Sequence, residues 1–325
     1  VLAAKSGQFV YRSTVSQMLE DEKSLAAINV AFFDIGSTQA TQGLVIRDGD
    51  MLREPQPGRP SLFVTDANEL ALGEATWQAR VHLGKQRRPI AGVNRPQLGG
   101  DEIVIYRLPW SRSPGSFASF SRGQKVREIH IGPVTSQPAD ETDDSTRLAG
   151  PILEIRENGE PIPLKENHIV LTASEAAAPF FRDAAVGQEV VINWKLADLP
   201  EGLKHGQIAQ AVSAQPILVR EGKLVSGGGK FWTTRHPRSA VAIHPDRRHV
   251  LLLVVDGRSK ASAGMALGTL GKYLLHLGAH EAMNFDGGGS SAIGIRVNGK
   301  TQILNTPSDG RERPFPTGLG LVADD

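Results

Sequence analysis

The run Asn284-Phe285-Asp286-Gly287-Gly288-Gly289-Ser290-Ser291 joins a carboxylate, three successive glycines and two hydroxyls. Glycine tolerates positive φ and lets a ligand approach the main chain. Successive N–H groups in such a turn can form a nest for an oxyanion, so Gly287, Gly288, Gly289 and Ser290 are expected to contact an anionic ligand. Ala282-Met283-Asn284-Phe285 reads as a short buried strand leading into the turn, which holds the Asp286 carboxylate rigidly at a strand end. By spacing alone a flexible Gly-Ser loop fits nearly as well; the apolar lead-in argues against it. A P-loop needs a Lys directly after the glycines, and none follows before Lys300. A dinucleotide fingerprint needs a helix after the turn, whereas Ala292–Val297 alternates like a strand.

Other groups have chemical potential. Arg235 and Arg238 flank His236-Pro237 just before the apolar run Ala240–Ile243, and a guanidinium there can bind phosphate bidentately. The pair fits a solvated basic turn as well. Asp256 ends the most apolar strand, Val250–Val255, as either a turn former or a site residue. Asn29 sits inside the apolar run 28–33, so it is expected to be buried and hydrogen-bonded. Ser308–Pro314 supplies Arg311 and Arg313 as a third basic cluster. The histidines, among them His236, His244, His249, His276 and His280, show no His-Glu-x-x-His spacing and read as surface or packing residues. A Gly-x-Ser-x-Gly elbow is missing, which argues against an α/β-hydrolase esterase.

These residues need a frame. The 35 glycines and 20 prolines separate short runs rich in Val, Ile and Leu, the pattern of strands and turns. Asp48-Gly49, Asn158-Gly159, Glu221-Gly222 and Asn298-Gly299 are expected hairpin turns. Three helices are expected: over 14–27, after Ser174 as cap, and after Ser262. The last carries Ala263, Leu267, Leu270, Leu274 and Leu277 as one stripe, closed by Gly278. The acidic, polar stretch Pro133–Gly150 reads as a surface loop. The fold class expected is α+β: a β-rich mixed sheet with a few helices and the site at the ends of central strands. Residues 1–27 are taken as an extension and 28–325 as a single large domain.

Composition bounds the rest. With 36 Lys plus Arg against 35 Asp plus Glu, nothing draws the chain generally to nucleic acid or anionic membrane. The absence of cysteine excludes thiolate nucleophiles, disulfides and Cys-based zinc sites. No apolar run approaches the roughly 20 residues a spanning helix needs. The chain starts with Val1 rather than Met; it is read as exported, with a signal peptide removed.

In order, AINVAFFD (27–34), GVNRP (92–96), EIVIYRLPW (102–110), PILVREGKL (216–224), RHPRSAVAI (235–243), LLLVVDGRSKASAGMAL (251–267), LGAHEAMNFDGGGSSAI (277–293) and ERP (312–314) resemble the phosphodiester glycosidase family, from about Ile28 to the C-terminus. The last third is the most specific. Val30-Ala31, Ser213-Ala214-Gln215 and Ser239 depart from the family's usual residues, which touches substrate choice more than reaction class. The resemblance implies cleavage between sugar C1 and a phosphate oxygen in a phosphodiester-linked glycan, such as an N-acetylglucosamine 1-phosphodiester. It implies Asp286 as first and Asp256 as second catalytic carboxylate, Arg238 with Arg313 on the phosphate, and Asn29 and Asn284 on sugar hydroxyls or an acetamido group. No cofactor is expected, with a divalent metal left open. Two other readings stand beside it: a metal-dependent phosphodiesterase, and a glycan-binding protein on the same scaffold.

Overall fold

The computed structural model describes residues 2–3, 12–36, 38–108, 125–139, 144–158 and 160–323. The chain forms two compact units, one of residues 1–48, 56–74 and 208–325, the other of 49–55 and 75–207. The expected α+β class, rich in strands and poor in helix, holds.

The first unit contains all the candidate site residues. In one of its sheets the order is Lys223–Leu224, Ile217–Arg220, Glu281–Asn284, Arg238–Ile243, Val250–Val255. All neighbours in it are antiparallel. The Arg238–Ile243 strand is buried along its whole length, because both faces are covered. Ala240 and Ala242 meet the helix Leu267–His276 through Leu267, Leu270 and Leu274. Val241 and Ile243 face the other way, into a core with Met283, Phe285, Ile28 and Val30, as the two-residue period of a strand requires. A second sheet runs Leu2–Ala3, Thr317–Leu321, Ala26–Asn29, Ile293–Val297, Lys300–Ile303. Its central strand ends at Asn29. A third contains Val45–Arg47, Ile208–Ser213, Ser61–Thr65 and Leu70–Gly73. The second unit is built on a nine-stranded sheet. Its Gly92–Val93 and Ile103–Tyr106 strands are parallel and its other pairs antiparallel, so that sheet is mixed.

Several local expectations need correction. The first helix is shorter than 14–27. Thr14 caps Val15–Asp21 in a reciprocal box with Gln17, and the chain turns at Lys23, with φ of 51°. Ala26–Asn29 then enters a sheet, because Ala27 and Ile28 are buried there. Ser174 lies in a strand and caps nothing; a single 3-10 turn, Ala178–Phe181, follows. The expected loop over 133–150 contains paired strands, Thr135–Pro138 against Thr146–Ala149. The first of these is exposed at every residue, so it has no apolar face to betray it. Residues 140–143 lie outside the described residues, as do Pro109, Trp110 and Gly159 of the quoted motifs. The helix after Ser262 starts at Leu267, and Gly278 follows it with φ of 92°. The turns Glu221-Gly222 and Asn298-Gly299 have positive φ at both residues, joining paired strands as a type I′ turn does.

Candidate active site

Asp286 follows the Glu281–Asn284 strand, and its N–H donates to Val30 O at 2.8 Å. Each glycine after it admits a different neighbour. A Cβ on Gly287 would lie 2.8 Å from Pro237 O; one on Gly288 would lie 2.9 Å from Arg258 Nη2. One on Gly289 would lie 2.1 Å from Arg313 Nη2 and 2.2 Å from Asp309 Oδ2. Gly288 also has φ of 64°, which L side chains rarely adopt. Two guanidiniums, Arg258 and Arg313, thus rest on consecutive glycines two and three residues past the Asp286 carboxylate.

The carboxylate accepts the Gly287 N–H at 3.0 Å. Burial pushes its pKa up to about 6; the Ser290 hydroxyl, the Gly287 N–H and the Arg313 charge pull the other way. Ser290 lies near enough to have that influence, yet its Oγ makes no well-aligned hydrogen bond to protein. The Ser291 and Ser308 hydroxyls are likewise buried without a partner. The expected nest is smaller than four amides. Gly288 N–H donates to Pro237 O, Ser290 N–H to Gly287 O and Ser291 N–H to Gly288 O. Among the described residues, only the Gly289 N–H of this turn has no partner.

The two arginines differ in what holds them. Arg313 donates through Nε and Nη2 to Asp309 Oδ2, at 3.0 and 2.6 Å. Arg258 is exposed, has φ of 56°, and meets no carboxylate among the described residues; its Nη2 donates to His236 Nδ1 at 3.4 Å. Burial and the charges of Arg238 and Arg258 lower the His236 pKa, which favours the neutral ring that can accept this bond.

Other expected site residues serve the frame. Arg238 is 3% exposed, and its guanidinium donates to the carbonyls of Met265 (3.0 Å), Thr234 (2.9 Å) and Phe231 (3.3 Å). Strand alternation turns it to the helix side with Ala240, so it ties the 231–236 segment down rather than reaching for a ligand. Asp256 accepts from Asn305 Nδ2 and Thr306 N–H, anchoring the segment that leads to Arg313. Asn29 is buried and fully engaged: Nδ2 donates to Asp286 O at 2.6 Å, and Oδ1 accepts from Ser239 Oγ and Ala292 N–H at 2.7 and 3.1 Å. Asn284 donates to Gln215 O and Phe285 O from a buried position. Asn284 Oδ1 is buried without a hydrogen-bond partner. Val30 sits in the core and Ser213 bonds Leu44 N–H and Ser61 Oγ, so both departures have structural surroundings. Arg235 is exposed, away from the bonds that order the turn.

The structure therefore adds Arg258, His236 and Asp309 to the turn. In the sequence the signal for Arg258 is its place directly after the strand-end Asp256-Gly257. Among the described residues, no group of three or more His, Asp or Glu side chains able to hold a metal ion lies at this turn.

The chain belongs to the phosphodiester glycosidase family, whose model matches residues 141–322, more than half its length. The match starts later than Ile28, and takes in the glycine turn and both arginines. No curated protein matches the sequence. Among solved structures, a hypothetical protein from Synechocystis superposes with a TM-score of 0.73 at 19% identity, covering 98% of this chain and 55% of that one. A protein from Burkholderia pseudomallei described as a candidate exported protein gives 0.76 at 18% identity, covering 99% and 70%. The zebrafish N-acetylglucosamine-1-phosphodiester alpha-N-acetylglucosaminidase catalytic domain, auto-inhibited by its pro-peptide, aligns at 15% identity with a TM-score of 0.45, over 97% and 69%. The first two likenesses establish a shared fold. The chain spans just over half the length of the Synechocystis relative. Among the described residues no helix is long and apolar enough to cross a membrane.

Proposed function

We propose that this chain is an exported hydrolase that breaks the C1–O bond of a sugar 1-phosphodiester on a cell-surface or extracellular glycan, with an N-acetylglucosamine 1-phosphodiester as the model substrate. The observation that carries this reading is one carboxylate, Asp286, with its pKa raised to about 6, followed by glycines on which Arg258 and Arg313 lie. Phosphate is a good leaving group, so the site has less need of a strong general acid. It needs cations for the phosphodiester and a carboxylate for the oxocarbenium-like centre at C1. Arg258 is the principal phosphate ligand in this reading, with Arg313 second. The Gly289 N–H and Ser290 hydroxyl contact phosphate or sugar. Arg238, Asp256, Asn29 and Asn284 keep the turn in place.

Hydrolysis of a sugar 1-phosphodiester in ¹⁸O-water tests the bond broken. Label is expected in the sugar hydroxyl. Label in the phosphate, with turnover lost to chelator, would mean metal-assisted P–O cleavage, and binding without turnover would mean a glycan-binding protein.

Arg258→Ala separates the two arginine assignments. Hydrogen bonds to a charged group contribute about 1.5–3 kcal/mol, so kcat/KM is expected to drop by up to about 10²-fold, mostly through KM. Because Arg258 is exposed, unfolding free energy should stay within about 0.5 kcal/mol of the parent. Unchanged kinetics would return the phosphate role to another group.

A further inference from the structure

The hairpin that joins Arg238–Ile243 to Val250–Val255 reads His244-Pro245-Asp246-Arg247-Arg248-His249. Ile243 pairs with Val250, so His244 and His249 are the next cross-strand pair, and His244 N–H donates to His249 O at 3.0 Å. Their rings lie 5.9 Å apart, nearly perpendicular. Asp246 reaches back between them: its Oδ2 is 3.0 Å from His244 Nδ1 and 2.6 Å from His249 Nδ1. Its Oδ1 accepts from the N–H groups of Arg248 and His249, at 2.9 and 3.0 Å. The carboxylate is thus aimed by the turn itself. The three ligand atoms fall within 4.8 Å of one another, and all three residues are exposed.

We propose that His244, Asp246 and His249 form a binding site for a divalent transition-metal ion of the zinc, nickel or copper class, with water completing the coordination. Two imidazole nitrogens and a carboxylate oxygen suit such ions better than magnesium or calcium. Zinc bonds of about 2.0–2.2 Å in a tetrahedron separate ligand atoms by roughly 3.3 Å. The observed 2.6 and 3.0 Å need to open by less than 1 Å. Both rings line an open cavity of about 320 Å³, which leaves them room to turn. A search for helical His-Glu-x-x-His passes over this set because its spacing, i, i+2, i+5, converges only across a hairpin. Arg247 and Arg248 share the turn and oppose a cation, so the affinity should be micromolar rather than nanomolar. A bound ion would clip together the two strands whose opposite ends pair Arg238 with Val255. This site does not depend on the hydrolase reading.

Calorimetric titration of the tag-free, chelator-treated full chain with zinc chloride is the test. One site with a Kd of about 1–10 μM is expected, together with a rise in Tm of a few degrees under saturating zinc. His249→Ala and Asp246→Asn should each weaken binding at least about 10-fold, while His276→Ala and His280→Ala leave it unchanged. Circular dichroism checks that the variants fold; the exposed positions make that the expected result. Zinc binding no tighter than about 1 mM, or equal weakening in the two control variants, would overturn the proposal.

Discussion

Asp286→Asn should lower kcat/KM on a sugar 1-phosphodiester by about 10³-fold, the scale of losing a positioned acid–base or nucleophilic group, and should make the protein more stable at pH 7.5. The two effects have one cause. Burial holds the Asp286 pKa at about 6, above the roughly 3.9 of an unfolded Asp. As pH rises from about 4 to about 6, the unfolded chain releases a proton that the folded chain retains. Stability therefore falls through that window and stays lower above it. Two units correspond to about 3 kcal/mol. The residue is partly open to solvent, and screening reduces this to about 1–2 kcal/mol. Asn keeps an oxygen for the Gly287 N–H and never carries the buried charge. Urea unfolding should show the variant ahead at pH 7.5 and level with the parent near pH 4. If the reaction uses the ionised carboxylate, parent kcat/KM rises through about pH 6 and then levels. Activity near that of the parent in a folded variant would remove Asp286 from the chemistry, and a variant less stable at every pH would contradict the raised pKa.

How far the sequence reveals this site depends on the kind of residue. Three glycines say that something must come close to the main chain; they cannot say what. That Gly288 receives Arg258 and Gly289 receives the Arg313–Asp309 pair is decided by segments far away in sequence. The arginines show the same limit. Arg238 precedes an apolar run and has a suitable side chain for phosphate, but which face it takes follows from strand register. The carbonyls that occupy it come from the 231–234 segment and Met265. Asn29 is the opposite case. A polar amide in an apolar run had to find partners on burial, and it did so. Glycine-bearing turns and the Leu267, Leu270, Leu274 stripe were legible because their determinants are local. The strand Thr135–Pro138 was not, since an exposed polar edge lacks the alternation that marks a half-buried strand.

Asn29→Ala is expected to destabilise the protein by about 3–5 kcal/mol, a large fraction of the roughly 5–15 kcal/mol that holds a typical domain. The side chain connects three separate pieces: the turn through Asp286 O, the Arg238–Ile243 strand through Ser239 Oγ, and the chain after the turn through Ala292 N–H. Removing it leaves a buried carbonyl, hydroxyl and amide to find other partners, at about 1–3 kcal/mol for each one that fails. Ser239 can rotate; the two main-chain groups cannot. Asn29→Asp should fall between parent and Ala, because its oxygens still accept from Ser239 and Ala292 while the donor to Asp286 O is gone. Chemical unfolding monitored by fluorescence gives the free energies, and a loss below about 1 kcal/mol for Asn29→Ala would contradict the role assigned to these bonds. In whatever fraction remains folded, Asp286 has lost the tether on its own carbonyl. The carboxylate should then be misplaced rather than absent, so kcat is expected to fall more than KM rises.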